Sequence, residues 1–203
     1  MRPYRSVFLL IRIVPIIPIA IGIGIVIGCA RSVTRMNPSE AVDLSGRWND
    51  TDSRQVADKM VADLLGSEKF KEYAKGLGKK PTIIVGLVRN KTSEHIDADA
   101  YIKKLELAIF NSGVADLVES DGFRDKLREE RAQQQDFADP ATAAKWGKET
   151  GANLILFGDM TSETDVYLKK RVVNYTTTLF LTDMENNRRV WYGQNEIKKY
   201  VRN

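Results

Sequence analysis

The feature that most constrains this chain is an abrupt change of character at Cys29. From Ile13 to Gly28 every residue is apolar, glycine or proline, whereas from Arg31 onward charge recurs in almost every stretch of ten residues. Arg2, Arg5 and Arg12 come before or at the edge of the apolar run, and small residues close it. Positive start, apolar middle and small-residue end are the make-up of an export signal.

The end of that run is its informative part. Val26-Ile27-Gly28-Cys29 resembles the lipobox of bacterial lipoproteins. The resemblance implies that the Cys29 sulfur receives diacylglycerol, that cleavage follows Gly28 and that the new amine is acylated. Several acyl chains on one residue hold firmly, since each buried CH₂ contributes about 0.8 kcal/mol and one chain alone is marginal. The competing reading is an uncleaved transmembrane helix, because the run approaches bilayer-spanning length. Pro15 and Pro18 would break that helix, and Gly22, Gly24 and Gly28 lower its propensity. Gly22-Ile-Gly24 is not a dinucleotide loop either, as no polar helix start and no suitably spaced acid follows it. Either reading puts the body outside the cytoplasm when the arginines stay inside.

Residues 29–42 are short, polar and contain Pro38, so they read as a tether. The fourteen residues between Cys29 and Leu44, at about 3.5 Å each, give a reach of roughly 50 Å. The domain is therefore expected to work close to its membrane. The expected organisation is a signal over 1–28, a tether over 29–42 and one globular domain over 43–203.

Charge excludes some functions. Setting aside the three leader arginines, the 31 basic side chains fall almost level with the 27 acidic ones. A nearly neutral body without a basic stripe and interleaved aromatics gives no warrant for nucleic-acid binding. One cysteine and one histidine make neither an internal disulfide nor a metal set of His and Cys type. No metal, cofactor or small-molecule substrate is expected.

In the body, Val56, Ala57, Met60, Val61, Leu64 and Leu65 recur at helical spacing behind capping residues in Asp50–Ser53. Gly66, Gly76 and Gly78 with several lysines read as the loop that follows. Thr82–Val88 is an apolar run of strand length, expected in a sheet interior covered on both sides. After a polar loop, Arg89–Asp97, a helix carries Tyr101, Ile102, Leu105, Ala108 and Ile109 and closes at Gly113; Ala115–Val118 is a short strand. Strand, helix, strand at this spacing is a right-handed parallel crossover. Asp121–Gln135 is a mostly exposed helix or an irregular segment, and Asp139-Pro140 starts a helix running to Gly151. Leu154–Met160 is another strand, Val173, Tyr175, Thr177, Leu179 and Leu181 alternate on one face of a further one, and Asn186-Asn187 turns the chain back into Val190–Tyr192. The fold class is α/β (α+β): one mixed sheet with a parallel βαβ part, a C-terminal antiparallel meander and helices packed on it.

Candidate chemistry is sparse. His95 has no cysteine nucleophile beside it, so a solvated loop histidine is the plainer reading. Glu129 and Glu130, adjacent on a helix, point apart, and Arg128 and Arg131 beside them indicate a solvated charged face. Asp159, Glu163 and Asp165 lack the spacing of a calcium loop. Asn49, Asn90 and Asn174 each begin an N-x-Ser/Thr triplet, accidental beside a lipobox. Lys169, Lys170, Arg171, Arg188 and Arg189, with Lys198, Lys199 and Arg202, read as solvated strand edges that discourage unwanted pairing.

Asp43-Leu-Ser-Gly-Arg-Trp-Asn-Asp50, Val88-Arg-Asn-Lys-Thr-Ser-Glu-His-Ile96, Leu127-Arg-Glu-Glu-Arg-Ala-Gln133, Lys148-Glu-Thr-Gly-Ala152 and Val190-Trp-Tyr-Gly-Gln194 occur in this order. Together they resemble the lipoprotein activators of bifunctional penicillin-binding proteins, the LpoB type, from Asp43 to about Lys199. That resemblance implies a noncatalytic protein anchored in the outer membrane whose domain docks on a peptidoglycan synthase and stimulates glycan polymerisation, and with it crosslinking. The absence of Asp after Cys29, where Ala30 and Arg31 stand, agrees with outer-membrane sorting. The tether is shorter than the long Pro-rich linker of the best-known members. The family supplies no contact motif here. Arg89, Asn90, Glu94 and His95, where the first strand ends, are the expected partner-binding residues on position alone. The alternative function is a structural or assembly lipoprotein of a secretion or envelope complex, and after it an envelope hydrolase.

Overall fold

The computed structural model describes residues 32–139, 141–142 and 149–202. The apolar run and Cys29 lie outside them. Among the described residues no helix is long and apolar enough to cross a membrane. Residues Asn37–Asn203 form one compact unit. All its buried apolar core, from Val56 to Trp191, is internal to that unit, so it holds what it needs to fold on its own.

A five-stranded sheet has the order β2-β1-β3-β4-β5, with β1 at Thr82–Asn90, β2 at Asp116–Leu117, β3 at Leu154–Tyr167, β4 at Lys170–Asp183 and β5 at Arg189–Arg202. β1 runs parallel to both β2 and β3, while β3, β4 and β5 form an antiparallel meander. The mixed sheet is the one expected.

Register assigns the faces. Ile83–Leu154–Asp183 and Val85–Leu156–Leu181–Trp191 line up across the strands, as do Tyr175–Ile197 and Val173–Lys199. This face meets α1 (Asp50–Gly66) and α3 (Ala98–Ser112) in one core with Met60, Leu64, Tyr101, Leu105 and Ile109. The expected face of β4 is buried at every position from Val173 to Leu181. Side chains two apart on a strand point the same way, so Leu179 and Leu181 join the helix-packed core while Tyr175 is covered by Trp48 and the Glu94 carboxylate.

The expectation that Thr82–Val88 is covered on both sides is corrected. Ile83, Val85 and Val88 are buried toward the helices, but Ile84 is half-buried and Leu87 is 60% exposed. The register shift between Val85 and Val88 accommodates the extra residue. On this second face the Phe157 and Phe180 rings meet at a tilt of 45° with centroids 6.0 Å apart, and the Arg189 guanidinium lies 4.3 Å from the Phe180 ring centroid, shielding it.

A second correction concerns Gly66–Gly78, expected as a loop. It is mostly helix α2, Glu68–Leu77. The Ser67 hydroxyl accepts from the Phe70 N–H at its start, Phe70 is 1% exposed, and Tyr73 packs beside it. Two aromatics one turn apart anchor a helix whose lysines hid its period. α4 spans Asp121–Phe137 with no buried residue, the exposed helix of the two options. The helix expected from Pro140 lies mainly outside the described residues, and its described end, 149–151, is irregular.

Candidate partner-binding surface

The loop after β1 is folded on itself. The Asn90 Oδ1 accepts the Thr92 N–H at 2.9 Å and its hydroxyl at 2.7 Å, while the Asn90 amide donates to the Glu94 and Ile96 carbonyls. Asn and Thr make such local side-chain turns readily. Ile96 then plugs the core, and the Asp97 carboxylate caps α3 at the Ala100 N–H.

The Glu94 carboxylate reaches across to another element. It accepts the Trp48 backbone N–H at 3.1 Å and the Tyr175 hydroxyl at 2.7 Å, and the Trp48 ring meets Tyr175 edge-on at 5.6 Å. Burial, and then the neighbouring Glu94 charge, push the Tyr175 hydroxyl well above its ordinary acidity range. It is a fixed neutral donor.

Segment 43–49 is tied down beside it. Asn49 caps α1 in a reciprocal box with Asp52, and its amide donates to Asp43 and the Val42 carbonyl. The Lys199 ammonium, 8% exposed, donates to Asp43 and Asp52, both at 2.6 Å, and to the Arg47 carbonyl. Burial works against its charge, but the Asp43 and Asp52 contacts outweigh that and raise its affinity for the proton. The Lys199 hydrogen bond holds Asp43 below the usual carboxylate range. Gly46 closes the segment at φ +67, where a Cβ would come within 2.1 Å of the Val201 Cγ2. No other residue fits there.

Lys199 therefore corrects the reading of the tail as a solvated edge. Lys198 and Arg202 are exposed, but Lys199 shares its face with Trp191, Asn195 and Ile197 and turns inward. The sequence carried a signal, since alternation runs on past Tyr192. A lysine at an inward position demands buried carboxylates.

Arg89 lies on the opposite sheet face. Its Nε and Nη2 donate to Asp159 at 2.7 and 3.2 Å, and Lys91 pairs with the same carboxylate at 3.1 Å. Burial raises the Asp159 affinity for a proton, but the two cations outweigh it and hold the carboxyl low. His95 is exposed. Of the expected contact residues, Asn90 and Glu94 are engaged within the domain, and Arg89 and His95 reach outward on separate surfaces. Glu129 pairs with Lys126, Glu130 accepts from Gln134, and Glu163 and Asp165 are exposed. Among the described residues no group of three or more His, Cys, Asp or Glu could hold a metal.

Tyr175→Phe is expected to cost about 1–2 kcal/mol, because it leaves a carboxylate oxygen without its donor. Urea unfolding of the two proteins checks this.

A cleft of ≈ 600 Å³ between α2 and the β4–β5 turn is lined by Lys69, Glu72, Tyr73, Asp183 and Arg188 among others. In it burial and the Asp183 carboxylate push the Tyr73 hydroxyl above its ordinary range. The charges of Glu94, Asp43, Asp52 and Lys199 are committed to architecture on a mixed sheet that carries its helices on one face. A family model described as peptidoglycan-synthase activator LpoB matches residues 52–197, and the chain belongs to that family, one of activators and not of enzymes. No curated protein matches it. Among solved structures, the C-terminal domain of Escherichia coli LpoB is similar at 19% identity, over 75% of this chain and 99% of that one, with a TM-score of 0.43. The Salmonella enterica domain shows 15% identity over 72% and 98%, TM-score 0.42. Lipoprotein GNA1162 of Neisseria meningitidis shows 12% over 59% and 83%, TM-score 0.38.

Proposed function

We propose that this chain is a lipid-anchored activator of a bifunctional penicillin-binding protein, stimulating glycan-strand polymerisation by direct contact. The family match over residues 52–197 carries the reading. Signal 1–28, tether 29–42 and domain 43–203 are its parts, with Cys29 the lipidated residue and the periplasmic side of the outer membrane its place. Arg89, paired with Asp159, and His95, exposed in the loop that Asn90 and Glu94 fold, are the outward residues of the four taken for partner contact, each on its own surface. To stimulate, the domain must bind the active arrangement of its enzyme better than the inactive one, because a ligand indifferent to both shifts nothing.

The test is a pull-down from envelope extract with residues 37–203, followed by a glycan polymerisation assay with the recovered synthase. The expected result is capture of a penicillin-binding protein and faster polymerisation on adding the domain. Recovery of secretion components alone would move the reading to an assembly lipoprotein. Mass spectrometry of the full chain from membranes tests the anchor separately: an unmodified Cys29 on an intact leader sinks it.

A further inference from the structure

The β3–β4 hairpin carries an unusual tip. Val166, Tyr167 and Leu168 are 62%, 73% and 84% exposed, and Lys169, Lys170 and Arg171 follow directly. Tyr167 pairs with Lys170, so Leu168 and Lys169 make the two-residue turn. Leu168 has φ 53, a left-handed backbone that glycine or asparagine adopts cheaply and a bulky residue does not. At the other hairpin Asn187 occupies the equivalent conformation, at φ 59. Leucine at the tip helps neither the turn nor the core.

The tip is also where the chain enters its domain. The Arg171 guanidinium donates to the Ser45 carbonyl, Ser45 and Arg47 border the same cleft as Leu168 and Lys169, and Gly46 sits against Val201. Leu44, 94% exposed, belongs to this end. Segments 44–47, 166–171 and 200–202 contain Arg47, Lys169, Lys170, Arg171 and Arg202 and no carboxylate; Asp43 beside them is paired with Lys199, and Asp165 is the next acid along β3. Exposed apolar side chains ringed by cations are suited to the boundary between acyl chains and anionic headgroups.

We propose that this end of the domain is a second membrane contact, in which Tyr167 and Leu168 enter the interface of an anionic bilayer and the surrounding cations meet its headgroups. The proposal rests on the lipid-anchor reading for its supply of membrane: a tether reaching at most roughly 50 Å keeps the tip near the bilayer.

The test uses residues 37–203 without any lipid, so that binding cannot come from the anchor. The fragment is expected to sediment with vesicles containing phosphatidylglycerol and to stay in solution with phosphatidylcholine alone. Replacing Lys169, Lys170 and Arg171 by Gln is expected to lower partitioning about 100-fold, from roughly fivefold per cation. Leu168→Asn is expected to lower it at least about tenfold while leaving the melting temperature equal or higher, because asparagine suits the turn. A merely structural leucine would not give that split. Absence of sedimentation with anionic vesicles at millimolar lipid overturns the proposal, as does Leu168→Asn weakening capture of the synthase without changing vesicle binding, which makes the tip a protein contact. An unmodified Cys29 in the full chain would instead fail the anchor reading while leaving this vesicle result intact.

Discussion

Lys199→Met is expected to destabilise the domain by about 3 kcal/mol or more, a large share of the roughly 5–15 kcal/mol that holds a domain of this size. The ammonium is not worth that much as an attraction, since taking Lys199 and Asp52 out of water offsets most of what their pairing returns. The cost lies in what is left behind. Asp52 is 5% exposed and would keep only the Asn49 N–H on its carboxylate, while the Arg47 carbonyl would lose the Lys199 donor. Asp43, whose side chain is 59% exposed, can turn to water and adds little. Segment 43–49 should loosen first, because Lys199 is its tie to β5. Urea unfolding measures the total, and Asp52→Asn combined with Lys199→Met should recover part of it, as the orphaned charge is then gone. Alkaline pH gives a second readout. The Lys199 proton is held more tightly in the folded chain than its ordinary value of 10.5, so its stabilisation is complete below that value and lost as pH rises through the raised one. The wild type should show this alkaline decline and Lys199→Met should not. An unchanged urea midpoint in the variant would mean that the cluster is exchangeable with solvent.

How far the sequence foretold all this depends on whether a residue's surroundings are local. Periodicity placed α1, α3 and the inward face of β4, because each pattern reports burial against a single layer. It lost α2, where Phe70, Tyr73, Ala74 and Leu77 do fall on one helical face but the helix is only ten residues long, lies between glycines and buries only Phe70 fully. It also overestimated the cover on β1, since a continuous apolar run looks the same whether its second face is sealed or only partly covered, as by Phe157 over Gly86. The site was harder still. Glu94 and Tyr175 stand 81 positions apart, Lys199 and Asp52 147, and nothing in either neighbourhood announces the other. Two of the five segments that carried the family resemblance, 43–50 and 88–96, are locked together by these side chains. A signature can thus mark a joint in the architecture instead of a contact surface. Asn90 and Glu94, expected at the interface, make their hydrogen bonds within the domain.

The Val190–Gln194 segment invites the same reasoning, and it yields the other large effect. Trp191 is 4% exposed, opposite Leu181 in the core, and its indole N–H donates to Asp63 on α1 at 3.0 Å. Trp191→Ala is expected to cost about 3–5 kcal/mol through the cavity it leaves and the carboxylate it abandons. The residue two positions on explains the spacing. A Cβ at Gly193 would stand 2.2 Å from Trp191 Cζ2 and 2.7 Å from Cη2, so the ring lies flat along its own strand over a position that has room for no side chain. Gly193→Ala must push the indole off its place and off Asp63, at a cost of about 1–3 kcal/mol. In the double variant the new methyl occupies space the ring has vacated, so its penalty should largely vanish, and the combined loss should fall short of the two single losses by about 1 kcal/mol or more. Chemical denaturation of the four proteins measures that difference. Strict additivity would show that glycine stands at 193 for some reason other than the ring, and the tryptophan, tyrosine, glycine order would then lose its physical explanation.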